Sequence, residues 1–280
     1  MEVCANPNAL HEFISSCKRQ GLSIGFVPTM GALHEGHLAL VRRAAQENDR
    51  VVVSIFVNPT QFNNQSDLAN YPRTLAADIK MLAEVDNLLI FTPEIEHIYP
   101  ENDDFQPIDL GSLDRVMEGA HRPGHFAGVV HVVYNLFQLI QPTRAYFGKK
   151  DYQQLAIIRF MTSAFNLPIE IISCDTIRNE DGLALSSRNM RLTEIQRKEA
   201  LIIYETLSFT KTNVHLCKPM ELKESAIEYF NNGNLKLEYL EISDARTLEP
   251  LTNEWSELNV CCIAAWCGDV RLIDNLEFSR

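Results

Sequence analysis

Short apolar runs alternate with stretches of helical periodicity along the first 175 residues. After Asn6 and Pro7, Leu10, Phe13, Ile14 and Cys17 recur at helical spacing up to Gly21, which predicts an amphipathic helix. Ile24 to Val27 is then a short apolar run bounded by Gly21 and Pro28, the pattern of a buried strand. Pro28, Gly31 and Gly36 mark a turn, and from His37 the apolar positions Leu38, Val41, Ala44 and Ala45 become helical again. Val51–Phe56, Leu88–Phe91, Arg144–Phe147 and Ile169–Ile172 predict four more strands. Helical patterns separate them, among them one from Thr74 through Leu82, with Thr74 as N-cap, and one from Val129 through Ile140. Strands alternating with helices predict an α/β fold with a parallel, doubly wound sheet.

The pattern changes after Cys174. An Asp181-Gly182 turn sits between short apolar pieces, and two helical segments follow, one capped by Thr193 and one over about Glu221–Phe230. Leu235–Ile242, Val260–Trp266 and Val270–Leu276 read as strands, the last two joined by a hairpin turn at Gly268-Asp269. The chain is therefore expected to divide into a Rossmann-like domain over residues 1–175 and a smaller α+β domain over 176–280.

Composition narrows the function classes. The 280 residues are 46% hydrophobic and 22% charged, ordinary for a globular chain, and carry a formal net charge of −12. That charge argues against nucleic acid as a partner, since non-specific binding needs a basic surface. A local cluster of cations (His121, Arg122, His125, Lys149, Lys150, Arg178, Arg188 and Arg191) keeps an anionic ligand in view. No apolar stretch reaches membrane-spanning length and no signal-peptide pattern opens the chain, so a cytoplasmic location without a membrane partner is expected. The seven cysteines show no metal-binding spacing and read as reduced structural thiols.

Chemistry gathers where strands are expected to end. His34 and His37 lie three apart at a strand-to-helix junction, where unpaired helix N–H groups and partial positive charge suit a phosphate. His34-Glu35-Gly36-His37 resembles the His-x-Gly-His signature of the adenylyl- and nucleotidylyl-transferring superfamily. Asn58 and Gln61 follow the next strand, Lys150, Asp151 and Gln154 a later one, and Ser186, Ser187 and Arg188 lie beyond the domain boundary. Considered singly, each of these has an ordinary reading as a turn or surface residue.

Taken together they do not. Pro-Thr-Met-Gly-Ala-Leu-His-Glu-Gly-His, Phe-Val-Asn-Pro-Thr-Gln-Phe, Tyr-Pro-Arg-Thr, Arg-Pro-Gly-His-Phe, Phe-Gly-Lys-Lys-Asp-Tyr-Gln-Gln and Leu-Ser-Ser-Arg-Asn occur in that order. From about Gly25 to Arg191 the chain resembles the pantoate–β-alanine ligase family. The resemblance implies condensation of (R)-pantoate with β-alanine to pantothenate, through a pantoyl adenylate formed from ATP, with Mg²⁺ required and a homodimer as the assembly. It implies catalytic roles for His34, His37 and Lys150. ATP would be bound by Met30, Gly31, Ala32, Leu33, His34, Glu35, Gly36 and His37, by Gly148, Lys149, Lys150 and Asp151, and by Ile177, Leu185, Ser186, Ser187 and Arg188. The last five would close over the nucleotide from the smaller domain. Gln61 and Gln154 would hold pantoate and β-alanine, and Asp78 matches a position associated with magnesium. His131 and Asn135 depart from the Thr and Lys common in the family, and Asn179 from a frequent acidic residue. Two further readings stay open: a nucleotidylyltransferase acting on a phosphate ester, and a nucleotide-binding module without turnover.

Overall fold

Six parallel strands lie within the first 174 residues of the computed structural model, which describes residues 1–63 and 65–280. They are β1 (Glu2–Cys4), β2 (Ile24–Thr29), β3 (Arg50–Ile55), β4 (Leu88–Phe91), β5 (Arg144–Gly148) and β6 (Glu170–Cys174), in the spatial order β1-β4-β3-β2-β5-β6. The order runs one way from β2 through β3 to β4 and the other way through β5 to β6. It therefore reverses between β2 and β5, and in open parallel sheets such a reversal opens the ligand crevice at the strands' carboxyl ends. The β1 strand is an addition to the five expected. It is three residues long and partly exposed, too little for hydrophobic periodicity to register.

Helices α1 (Pro7–Arg19) and α2 (Glu35–Glu47) follow β1 and β2, and two further helices, α3 (Gln65–Ala69) and α4 (Leu75–Leu82), precede β4. Next come α5 (Ile95–Ile98), α6 (Met117–His121), α7 (His125–Ile140) and α8 (Tyr152–Ala164). Alternation along the strands decides which helix each side chain meets. Val27, Val51, Val53 and Ile90 pack with Leu38, Val41 and Ala44 of α2 and Leu82 of α4. Phe26, one residue out of phase with Val27, meets Phe137 of α7 edge-on, with ring centroids 6.1 Å apart. Both faces of β2 and β3 are thus covered, which is why their sequences run apolar without a break.

The chain separates into two compact units, one of residues 1–110, 122–148 and 157–174, the other of 111–121, 149–156 and 175–280. In the second unit β7 (Lys236–Asp244), β8 (Asn259–Cys267) and β9 (Val270–Phe278) form an antiparallel meander. Preceding it are α9 (Glu194–Glu199), α10 (Leu201–Asn213) and α11 (Pro219–Phe230), with Thr193 capping α9 as its sequence predicts. The central strand β8 is covered on both faces. Cys261, Ile263 and Ala265 pack with Ile203 and Leu207 of α10 and Leu222 of α11. Val260 and Cys262 pack on the opposite side with Met117 of α6 and Tyr152 of α8. Burial pushes the Cys261 thiol up to about 12 and Cys262 upward as well, so both behave as small apolar fillers. The β8–β9 hairpin closes through Gly268 (φ +60°) and Asp269 with Cys267 paired to Val270, the two-residue turn that a first-position glycine favours.

Candidate active site

The carboxyl end of β2 runs into a turn that few residues can make. Gly31 has φ +79° and Ala32, which carries a Cβ, has φ +50°. Left-handed backbone at a non-glycine residue persists only where its surroundings hold it. Asp78 on α4 does so. Buried at 2% exposure, its carboxylate accepts the amide hydrogens of Leu33 (2.8 Å) and Ala32 (3.1 Å) and the hydroxyl of Thr74 (3.2 Å). Thr74 is the N-cap residue of α4, as its sequence predicts, but its hydroxyl donates to Asp78 and makes no side-chain cap to the helix backbone.

This turn delivers the two histidines to the start of α2. His34 is the N-cap, and its Nδ1 accepts the amide hydrogen of Gly36 at 3.1 Å. His37 reaches back, its Nδ1 accepting the amide hydrogen of His34 at 3.3 Å, so the pair forms a capping box made of imidazoles. An Nδ1 that accepts a hydrogen bond holds no hydrogen, which assigns the ring hydrogen of each neutral imidazole to Nε2. Both rings are partly exposed, and their centroids lie 4.1 Å apart. The helix start therefore combines backbone N–H groups, the positive end of its dipole and two Nε2–H donors, a set complementary to phosphate oxygens.

At the end of neighbouring β3, a single turn of 3₁₀ helix over Pro59–Gln61 presents Gln61. Buried Asn58 donates its side-chain amide to Gln61 Oε1 (3.1 Å) and to the carbonyl of Gly128 (3.2 Å). The Gln61 amide nitrogen in turn donates to Met30 Sδ at 3.2 Å, so the amide orientation is fixed from both ends. Tyr99 donates its hydroxyl to Asn58 Oδ1 at 2.7 Å, and burial pushes that phenol up to about 12, keeping it a donor. From α7, His125 Nδ1–H donates to the carbonyl of Gln61 at 2.8 Å, while Arg122 donates to His125 Nε2 at 3.2 Å. Gly128 lets α7 approach this turn, since a Cβ there would lie 2.6 Å from the Thr60 carbonyl oxygen. Residues Met30, His34, His37, Gln61 and Asp78 thus share one end of the first unit's sheet, at the carboxyl ends of adjacent β2 and β3.

The remaining expected site residues, Gly148 apart, belong to the second unit. Lys149, Lys150 and Asp151 form a 3₁₀ turn directly before α8. Lys149 pairs with Glu277 (2.7 Å) and Asp175 (3.0 Å); against burial, which pulls its pKa down, these partners hold it above the ordinary lysine value. Lys150 Nζ lies 3.8 Å from Asp151. The two glutamines after Tyr152 have different surroundings. Gln153 is buried and bolts the 113–118 segment, donating to the carbonyls of Leu113 and Val116 and accepting from the Glu118 amide, whereas Gln154 is half-buried. Leu185 donates its amide to the Ile177 carbonyl at 2.9 Å, and Ser186 caps the turn of Ser187–Arg191 by accepting from the Arg188 amide. Asn179 Oδ1 accepts the amide hydrogen of Leu183 at 2.8 Å.

These residues do not form a protein cage for magnesium. Asp78 is buried and engaged with amide and hydroxyl hydrogens on both oxygens. Among the described residues no group of three His, Cys, Asp or Glu side chains converges on a metal position. The anchoring part played by Asp78, and those of Gly128 and Tyr99, had no periodic signature. A glycine inside the apolar pattern of α7 was the one available cue, marking a close approach.

A parallel sheet that reverses beside a histidine-capped helix start defines an α/β protein of the nucleotide-binding type. The chain belongs to the pantoate-beta-alanine ligase family, whose sequence model matches residues 2–277. It is 48% identical over 285 residues to the pantothenate synthetase of Phocaeicola vulgatus, covering 99% of both chains. Against that of Bacteroides fragilis it is 48% identical over 286 residues and the full length of both. The crystal structure of the Thermus thermophilus pantothenate synthetase superposes with a TM-score of 0.90 at 41% identity, covering 99% of each chain. The Francisella tularensis pantoate-beta-alanine ligase, solved with beta-gamma ATP and beta-alanine, gives 0.81 at 38% identity over 99% of this chain and 97% of that one. Among the described residues no helix is long and apolar enough to cross a membrane.

Proposed function

We propose that this chain condenses (R)-pantoate with β-alanine at the expense of ATP, giving pantothenate, AMP and pyrophosphate. A pantoate carboxylate oxygen attacks the α-phosphorus of ATP, and the bond to the β,γ-phosphates breaks to release pyrophosphate. The amine of β-alanine then attacks the adenylate carbonyl, loses a proton, and expels AMP. Neither step needs a covalent protein nucleophile, and both need anions aligned and charge on phosphoryl oxygens stabilised.

The observation that carries this reading is the imidazole capping box. Because His34 and His37 spend Nδ1 on the helix backbone, both Nε2–H groups are donors fixed by the start of α2. They act on the phosphates with the helix N-terminus, over Met30–His37. Lys150 neutralises phosphate charge, with Gly148, Lys149 and Asp151, and with Ile177, Leu185, Ser186, Ser187 and Arg188, as further nucleotide contacts. Gln61 and Gln154 hold pantoate, and Gln61 serves β-alanine as well, an amide both donating to and accepting from a hydroxy acid. Mg²⁺ is carried by the ATP phosphates and water, as is common for this ion, and not by Asp78. On the same reading the enzyme is a cytoplasmic homodimer.

The test is AMP formation from ATP and Mg²⁺ with D-pantoate, with and without β-alanine, for wild type and His37→Ala. AMP and pantothenate should appear together, depend on both substrates, and fall by about a hundredfold or more in the variant, the usual effect of losing one preorganised donor. Pyrophosphate release with another acceptor and none with pantoate would refute the reading.

A further inference from the structure

The strand β9 has two faces with different duties. Leu272 and Phe278 point into the core beneath α10 and α11. Alternation puts Arg271, Ile273, Asn275 and Glu277 on the opposite face, toward α6 and the start of α8. Asn275 is 6% exposed there, and its side-chain amide donates to two consecutive carbonyls, Lys149 at 2.9 Å and Lys150 at 2.8 Å. Two residues on, Glu277 accepts from Lys149 Nζ and from the Tyr152 hydroxyl, each at 2.7 Å. The turn that carries Lys150 is therefore held on either side of that lysine by one strand more than a hundred residues later in the chain.

Asn275 is itself fixed. Its backbone N–H donates to Asp274 Oδ1 at 2.8 Å, and Asp274 faces the other way, where Arg178 grips it with both terminal nitrogens. Arg178 also donates to the Gly182 carbonyl at 3.1 Å and stacks on the Tyr204 ring. A side chain so placed cannot swing aside without giving up buried hydrogen bonds.

We infer that Asn275 is a positioning residue for Lys150: by holding the carbonyls of Lys149 and Lys150, it sets where the lysine ammonium meets the nucleotide phosphates. The inference rests on the phosphate role given to Lys150 above. A capping amide that only stabilised the fold would weaken the protein without singling out one substrate or one chemical step. An amide acting through Lys150 must have no effect once the lysine ammonium is gone.

The experiment is a double-mutant cycle between Asn275→Ala and Lys150→Ala, read as pyrophosphate release in a single turnover with ATP and pantoate. Asn275→Asp, which keeps the shape and removes both donors, is run beside it, and urea midpoints check that each variant is folded. Asn275→Ala should slow release about tenfold to a hundredfold, the range expected for an ångström-scale misplacement, while the KM for pantoate stays within about twofold. In the Lys150→Ala background it should change the rate by less than about twofold. An equal slowing in both backgrounds, or wild-type turnover by a folded Asn275→Ala and Asn275→Asp, overturns the inference and leaves the phosphate role of Lys150 standing. Wild-type turnover by Lys150→Ala overturns that role and the inference with it.

Discussion

The amide hydrogen of His34 points at Nδ1 of His37, 3.3 Å away, in a reciprocal cap that turns two side chains usually read as ligands into part of the helix end. Each ring is oriented by the backbone through Nδ1, and in the neutral imidazole the ring hydrogen sits on Nε2.

Capping and catalysis should therefore separate at His34. Aspartate is a strong N-cap and a poor neighbour for phosphate. His34→Asp should keep the thermal midpoint within a few degrees of wild type while AMP formation falls by about a hundredfold. A parallel loss of stability and rate would mean that the imbalance lies in folding.

Asp78 gives a test of the same kind. Replacing it by Asn sets an NH₂ against amide hydrogens of Ala32 or Leu33, and the left-handed turn loses an acceptor. Asp78→Asn should lower stability by about 1–3 kcal/mol. Activity should fall with the Mg²⁺ concentration for half-maximal rate unchanged, because the turn and not the ion has lost its support. A tenfold rise in that Mg²⁺ requirement would reassign Asp78 to the metal.

The approach of α7 to the Gln61 turn depends on one missing side chain. Gly128→Ala places a methyl group 2.6 Å from the Thr60 carbonyl oxygen, closer than real contacts allow. The helix must withdraw, at about 1–3 kcal/mol by the general behaviour of overpacked sites. Since Gln61 rides on that turn, the KM for pantoate should rise while the KM for ATP holds, a split that steady-state kinetics reads directly.

The second unit carries a titration signature. Arg271 makes a two-pronged pair with Glu118 at 2.8 and 2.7 Å and also pairs with Glu238, which accepts from Trp266 at 2.9 Å. Burial pushes the Glu238 carboxyl up, but Arg271 and Trp266 outweigh it and hold it below the ordinary glutamate value. A carboxylate depressed on folding adds stability that is complete above its unfolded pKa, about 4.3, and is lost as pH falls through the folded one. Glu238→Gln should be less stable than wild type at pH 7, by about 1–3 kcal/mol. The gap should shrink as pH is lowered toward 3 in urea unfolding followed across that range; a gap that stays constant would show that the pair contributes nothing through ionisation.

What the sequence yielded, and what it withheld, follows from how far each signal reaches along the chain. Val51–Phe56 and Val260–Trp266 were plain as strands because burial on both faces writes a continuous apolar run. The Gly268-Asp269 turn and the Thr193 cap are local chemistry and were legible for that reason. The family motifs brought His34, His37 and Gln61 forward, and the fold sets all three at strand ends. Asp78 was visible as a residue but not as an anchor, since the two amides it holds lie 45 and 46 positions away. Gln153 and Gln154 are the same letter twice; only packing reveals that one bolts the 113–118 segment. Asn275 lies in a strand the sequence predicts, but its role does not show there, because its two carbonyl partners are 125 and 126 residues upstream.

The β8–β9 hairpin carries a consequence beyond its own two residues. Which side of β9 each residue faces is a matter of parity, counted from Gly268-Asp269. One residue added to that turn would invert the parity of everything after it, carrying Asn275 and Glu277 under α10 and turning Leu272 and Phe278 outward. The turn thus works as a reading frame for the strand: a tight two-residue loop decides whether the Lys149–Lys150 carbonyls meet an amide or a hydrocarbon.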